Sequence, residues 1–470
     1  MNALHLPNAE FRSLAARVTD IAADLLGGLD EMRAFPAVRG EQVARAFEGP
    51  LPEEGLRARA LDALGEVLAL SRAPTPRFYG YVLGSGEPVA ALADLLASIL
   101  NQNVTAWRSA PAAVTIERQI VRSLAGALGC QGFTGSLCGG GSMANLMGLA
   151  MAREARLPAN ESGAQPGVVY ASSEVHMSIP KAMALLGLGR ENLRLIGADA
   201  AYRLDPQALR TAIAADRSAG RTPLAVVATS GTVNTGAIDP LPEIAAVCRE
   251  QQLWLHVDGA YGALAALAIP ERFAGLSAAD SLSLDPHKWL YQPLDCGMLL
   301  FRNAHAARTA FSYTGDYAKS LAQNSLEAFA FFDESLELSR RFRALKLWLS
   351  LRYHGLAAFR SAIRADLRHA QNLAELIRGT STLELLAPVE LSAVCFRYRW
   401  GEPGTAADGL NAAILRRVIE RGRVYLSNAT LGGRFALRAC FVNHRTTDQD
   451  VSEIVPEVLQ AAREVLSGCS

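Results

Sequence analysis

Five short segments of this chain place chemically able side chains next to turn residues. The first is Gly139-Gly140-Gly141-Ser142-Met143-Ala144-Asn145, which leads into an apolar, helix-like stretch. Glycines ahead of a helix leave backbone N–H groups free to hold a phosphate, and the helix dipole favours its negative charge. The segment fits neither GxGxxG nor GxxxxGK[ST], so a nucleotide reading fails. The second, Ser172-Ser173-Glu174-Val175-His176-Met177-Ser178, follows an apolar run. So does the third, Thr229-Ser230-Gly231-Thr232. The fourth is His256-Val257-Asp258-Gly259-Ala260-Tyr261-Gly262, and the fifth Ser283-Leu284-Asp285-Pro286-His287-Lys288-Trp289. Taken singly, each has an ordinary reading. A loop lysine is a solvated charge, an aspartate or histidine after a strand is structural, and a turn threonine caps its own turn.

Taken together and in this order, the five resemble the signature of the group II pyridoxal-5′-phosphate (PLP) dependent amino-acid decarboxylases, which include aromatic-L-amino-acid, glutamate and histidine decarboxylases. The resemblance covers about residues 76–442 and centres on Ser-x-x-Pro-His-Lys-Trp. It implies that PLP is carried as a Schiff base on Lys288, with Asp285 and His287 beside it. It implies that Asp258 pairs with the pyridine nitrogen: an electron sink needs that nitrogen positive, and a nearby carboxylate raises its basicity. Gly141 and Ser142 would hold the phosphate, His176 would stack on the ring, and Thr232 would support the cofactor beside Asp258. Ala260 is small enough for a flat ring to lie against the backbone. The implied reaction is decarboxylation of an L-amino acid to its amine, with Lys288, His176, Asp258 and His287 as the catalytic group. Arg438 matches a family arginine that meets the substrate carboxylate, and Tyr81 and Trp107 match segments lining the side-chain pocket. Leu83, Gly84 and Thr105 depart from the aromatic-amino-acid enzymes, and Arg108 offers a charge for an acidic substrate. An aromatic substrate is the weaker part of this expectation.

One departure bears on the reaction itself. Counting back from Arg340-Arg341-Phe342-Arg343, the family's loop tyrosine falls on Phe331, which has no hydroxyl to protonate a carbanion. In related aldehyde synthases a phenylalanine here accompanies oxygen-dependent decarboxylation with deamination, so that outcome is the alternative. Tyr313 and Tyr317 lie just upstream and offer other donors. Transamination and a PLP-binding role without turnover fit the motifs less well.

Elements must bring these segments together. Val168-Val169-Tyr170-Ala171, Leu224 to Ala228, Leu253 to Val257 and Gly297 to Phe301 read as buried strands, and Gln207 to Ala215 and Leu241 to Gln251 as helices between them. Alternation of this kind predicts βαβ units and a largely parallel sheet, with the ligand at the carboxyl ends of its strands. We therefore expect an α/β fold, with residues 76–343 forming a large PLP-binding domain. Residues 1–75 read as a helical arm, with Phe11, Leu14, Val18, Ile21 and Leu25 on one face, and 344–470 as a small α+β domain with strands near Ser392–Tyr398 and Phe435–Val442. The resemblance makes the fold aspartate-aminotransferase-like (fold type I) and the assembly a homodimer.

Composition narrows the partners. Lys plus Arg and Asp plus Glu both number 46, so no net field attracts nucleic acid or an anionic membrane. No apolar run approaches the roughly 18 residues of a membrane span. The N-terminus lacks a signal-peptide pattern, and seven scattered cysteines without a CxxC pair suit a reducing, cytoplasmic compartment. No metal-ligand pattern is expected.

Overall fold

The computed structural model describes residues 4–313, 325–401 and 404–468. Apolar runs without a polar break form strands only where both faces are covered, and here they are. In chain order the strands are β1 (Thr134–Cys138), β2 (Val168–Ser172), β3 (Leu193–Ile196), β4 (Pro223–Thr229), β5 (Trp254–Asp258), β6 (Ser281–Leu284) and β7 (Gly297–Phe301). They make one sheet in the order β1-β7-β6-β5-β4-β2-β3. Strands β2 to β6 run parallel, and β7 is antiparallel to both β6 and β1. Every residue of β2, β5 and β7 is buried. Helices Pro206–Ser218 and Leu241–Gln251 make the expected crossovers. Three strands were not foreseen. The sequences of β1 (TGSLC) and β6 (SLSL) are small or hydroxylated, and β3 is exposed at two of its four residues. β1 at one edge and β6 inside the sheet are strands because of the neighbours they pair with, β7 for β1, and β5 and β7 for β6.

Ahead of the sheet lie α1 (Asn8–Gly27), α2 (Gly40–Phe47) and α3 (Leu64–Leu70), none of which buries a residue. Then come α4 (Pro88–Leu100), α5 (Pro111–Ala127) and α6 (Gly141–Arg156). A second sheet, wholly antiparallel, contains β8 (Leu383–Leu385), β9 (Ala393–Tyr398), β10 (Ser427–Leu431) and β11 (Arg434–Cys440), in the order β10-β11-β9-β8. The helix Ala344–Arg378 bridges the two cores: Leu345 and Leu347 pack with the large sheet, Leu373 and Ile377 with the small one. The core of the small sheet reaches back past residue 344. Tyr79 is fully buried in it, donates its N–H to Tyr425 O at 2.9 Å and accepts from Cys440 N at 2.9 Å.

A buried ion pair fixes the chain ahead of that bridging helix. Arg340 and Glu117 have no exposed side-chain surface, and the guanidinium also donates to Val104 O and Leu137 O at 2.8 and 2.7 Å. A second buried acid, Asp366, anchors the loop that carries Lys288. It accepts from Tyr291 Oη at 2.7 Å and Trp289 Nε1 at 3.2 Å. Burial pushes the Asp366 carboxyl up to about 7, against the pull of those hydrogen bonds. The folded protein therefore keeps a proton that the unfolded chain gives up near 3.8. The stabilisation is complete below that value and is lost as pH rises to about 7. The full effect reaches about 4 kcal/mol at most. Denaturant unfolding of Asp366→Asn should show a flatter pH dependence than wild type between about pH 4 and 7. An unchanged slope would remove Asp366 as its source.

Candidate active site

The carboxyl ends of the parallel strands open into a cavity of about 560 Å³. Each strand delivers a side chain where it stops. Asp258 is the last residue of β5, Thr229 the last of β4, and Asp285 follows β6 directly. His176 stands in the turn after β2, and Lys288 in the single helical turn Pro286–Trp289. All five line the cavity, with Gly141, Ser142, Ala260, His287, Tyr81 and Arg438.

Lys288 Nζ lies 2.9 Å from Asp285 Oδ2. Burial alone would raise Asp285, but Lys288 and His287 outweigh it and hold the carboxyl at about 2. Its other oxygen, Oδ1, is buried without a hydrogen-bond partner. His287 Nδ1 accepts from Cys296 N at 3.2 Å, so its Nε2 bears the proton facing Asp285, 3.4 Å away. Asp258 accepts from Asn145 Nδ2 at 2.8 Å, Ser283 Oγ at 3.1 Å and Ala260 N at 3.2 Å. Desolvation lowers His176, against the attraction of Asp258, so its ring favours the neutral form. Arg438 is 3% exposed. It donates to the backbone oxygens of Asn234, Tyr81 and Val233, with no carboxylate partner among the described residues.

The glycine segment is shaped for close approach. Gly140 has φ 137°, and α6 begins at Gly141. Met143 N and Ala144 N close the first turn on Gly140 O, which leaves the preceding amides at the helix mouth. A Cβ on Gly141 would stand 2.6 Å from Ala260 Cβ and 3.0 Å from Asp285 Oδ2, so any side chain there would fill the cavity. A phosphate at the helix mouth, a flat ring against Ala260 and a cationic nitrogen at Asp258 all find their complement. The residues fit PLP.

A scan against family models matches residues 67–399 to the pyridoxal-dependent decarboxylase conserved domain. The chain belongs to that family. Among curated relatives, this decarboxylase is 33% identical to the aromatic-L-amino-acid decarboxylase of Bacillus atrophaeus, over 98% of this chain and 97% of the other. It is 29% identical to a phenylacetaldehyde synthase of a Rosa hybrid cultivar, covering 97% and 95%. Among solved structures, the Oryza sativa TDC with PLP and tryptamine superposes with a TM-score of 0.90 at 28% identity, over 99% of each chain. The fold is thus the type I fold of PLP enzymes, the cofactor is PLP, and the reaction is decarboxylation of an amino acid.

Four residues singled out in the sequence, Thr232, Trp107, Arg108 and Phe331, lie outside the cavity. Thr232 is fully buried, its hydroxyl paired with Thr235 Oγ1 at 2.8 Å and accepting from Ala237 N, so it closes its own turn. Thr229 and Gly231 of the same motif reach the cavity instead. Trp107 is half-buried against the large core, and Arg108 is exposed; neither lines the site. Phe331 has no exposed surface. Its ring sits 4.1 Å from the Arg340 guanidinium and edge-on to Phe329, and its N–H bonds Thr105 O. Tyr313 is 93% exposed, and Tyr317 falls outside the described residues. The sequence reading missed Ser427 and Asn428 of β10, which close the cavity from the small sheet. Gly84 was noted only as a departure from relatives. A Cβ there would stand 2.2 Å from His287 O, so glycine is required beneath the lysine loop.

Proposed function

We propose that the enzyme decarboxylates an aromatic L-amino acid to the corresponding amine and CO2, with Lys288, Asp258, His176 and Arg438 in the principal roles. The observation that carries the reading is the charge arrangement: Lys288, Asp258 and a buried Arg438, whose described partners are uncharged oxygens, line one cavity. Bound there, PLP supplies the electron sink for the pair released as CO2 leaves. Lys288 Nζ offers the amine that attaches the cofactor, and Asp285 Oδ2 stands ready to accept its hydrogen bond. Asp258 would place its carboxylate beside the ring nitrogen, and His176 would cover the ring; both line the cavity. Arg438 offers the substrate carboxylate a cation whose desolvation is already met by backbone oxygens.

Two features support an aromatic side chain. Tyr81 lines the cavity, and its phenol meets that of Tyr425 at 3.2 Å, with Phe78 stacked behind at 4.5 Å. No lysine or arginine lines the cavity besides Lys288 and Arg438, so a distal carboxylate finds no partner among the described residues. The aromatic names of the relatives point the same way.

Two copies forming a homodimer suit the surface. Helices α1 to α3 bury nothing within the chain, and α4 shows Leu92, Leu95, Leu96, Ile99 and Leu100 to solvent. Six cysteines are buried and unpaired, which suits a reducing, cytoplasmic setting; no helix among the described residues is long and apolar enough to cross a membrane. We divide the chain at residues 75 and 343, with Phe78 and Tyr79 reaching across to Tyr425 and the small core.

The alternative of an aldehyde product rests on Phe331 and on the aldehyde-synthase relative. The burial of Phe331 favours the amine: a ring wholly inside the core reaches neither its own cavity nor one in a second copy. Purified enzyme given common L-amino acids under air should release CO2 and amine in equal amounts, with aromatic substrates fastest and little aldehyde or peroxide. Phe331→Tyr should leave that product ratio unchanged and lower stability by about 1–3 kcal/mol, the cost of burying a hydroxyl without a partner. A shift of products on Phe331→Tyr would restore the oxidative reading.

A further inference from the structure

We propose that Trp254, Ser281, His256 and Asn145 form a hydrogen-bond relay of one fixed direction, whose two outlets hold the Asp258 carboxylate and the His176 ring. None of these four residues need touch the cofactor; they act as positioning residues. The inference rests on the roles proposed above for Asp258 and His176.

The direction is set from both ends. At one end Trp254 Nε1 is a donor only, and it meets Ser281 Oγ at 2.9 Å. Ser281 Oγ has one other partner among the described residues, His256 Nδ1 at 2.8 Å, so its buried hydroxyl proton is satisfied only there. That makes Nδ1 an acceptor and places the ring proton on Nε2. Nε2 faces Asn145 Oδ1 at 2.9 Å. At the other end a carboxylate only accepts, so the Asn145 atom 2.8 Å from Asp258 Oδ2 must be the amide nitrogen. This turns Asn145 Oδ1 towards His256 and again requires a proton on Nε2. Two independent constraints give the same tautomer.

The second outlet follows. Asn145 Nδ2 also donates to Ser178 Oγ at 2.9 Å. Ser178 Oγ lies 2.9 Å from His176 Nδ1, and the Ser178 backbone N–H donates to the same nitrogen at 3.2 Å. His176 Nδ1 is therefore an acceptor, and its proton sits on Nε2. One amide group, Asn145, thus ties the carboxylate under the ring to the imidazole expected over it.

The packing is built around this arrangement. His256, Ser281 and Asn145 are at most 1% exposed, so a misdirected donor there would face no water. A Cβ on Gly148 would come within 2.5 Å of both His256 Cε1 and Nδ1. Glycine at that place on α6, one face with Gly141, Ala144 and Asn145, is what gives the ring room. Burial also pushes His256 down to about 4, against the attraction of Asp258, which keeps the ring neutral in the working range.

The relay can be read directly in the cofactor-loaded enzyme. The chain has eight histidines, few enough for selective 15N labelling, with His256→Phe and His176→Phe to assign the two signals. We expect bare Nδ1 and protonated Nε2 on both rings, unchanged between about pH 6 and 9. A proton on Nδ1 of either ring overturns the relay. The second measurement is the pH midpoint of the visible absorption of bound PLP in Asn145→Leu, His256→Phe and His256→Gln. These variants leave Asp258, Asp285, His176, His287 and Lys288 in place. The first two should move the midpoint by about one unit or more, and glutamine, which can accept and donate as the imidazole does, should restore it. If none moves it while Asp258→Asn does, the relay fails; if Asp258→Asn also leaves it fixed, the reading of Asp258 fails instead.

Discussion

Lys288→Ala is expected to abolish covalent attachment of PLP and to lower kcat/KM by at least about three orders of magnitude. The chain contains only four lysines, Lys181, Lys288, Lys319 and Lys346. Lys346 is fully buried and held by Asp94 at 2.9 Å, and Lys181 lies exposed on the helix Ser178–Leu185. Lys288 alone among the described lysines lines the cavity. Its replacement removes both the attachment point and the amine best placed to move a proton at the reacting centre, and such a group contributes about 10²–10⁴-fold by itself. Borohydride reduction of wild type followed by peptide mass spectrometry should put the cofactor on the Lys288 peptide, and the variant should carry none. Label on another lysine would overturn the assignment of the site.

Legibility in the sequence followed the range of the interactions. The buried strands β2, β4, β5 and β7 were readable because their apolar runs leave no alternative to a covered sheet. Lys288, Asp258, His176 and Gly141 were singled out by the resemblance of their motifs, and all four line one cavity; Asp258 and His176 also stand at or just beyond strands legible in the sequence, β5 and β2. The position of Thr232 was not legible because its hydroxyl turns to a local partner, Thr235, only three residues on. The placement of Phe331 was not legible because counting along the chain says nothing of which way a ring turns, and here it packs in the core against Arg340 and Phe329. Asn145 stood in the recognised glycine motif, yet its side chain bonds Asp258, 113 residues away, rather than a phosphate. Only the fold shows contacts of that span. The same holds for Gly84 and Gly148, whose missing side chains matter because of His287 and His256.

Asp258→Asn should leave PLP bound while cutting turnover by roughly ten- to a thousandfold. The substitution keeps size and shape at the end of β5, and the Gly141 and Ser142 amides proposed to hold the phosphate are untouched. What changes is charge. A neighbouring carboxylate moves the pKa of a cationic partner by about one to three units. Each unit corresponds to about 1.4 kcal/mol between protonation states, or a factor of ten. Without it, the ring nitrogen is a poorer base and the electron sink is weaker at neutral pH. The amide also brings a donor into a place where Asn145, Ser283 and Ala260 N already supply three. One of those contacts must therefore be lost, and turning the new amide cannot satisfy all of them. Asp258→Glu keeps the charge but not the reach, so it should fall between wild type and the asparagine variant. Measuring kcat together with bound PLP separates a weakened sink from a lost cofactor. Near-normal kcat in Asp258→Asn would mean that the carboxylate serves only as an acceptor for its three donors, and the pairing with the ring nitrogen would have to be abandoned.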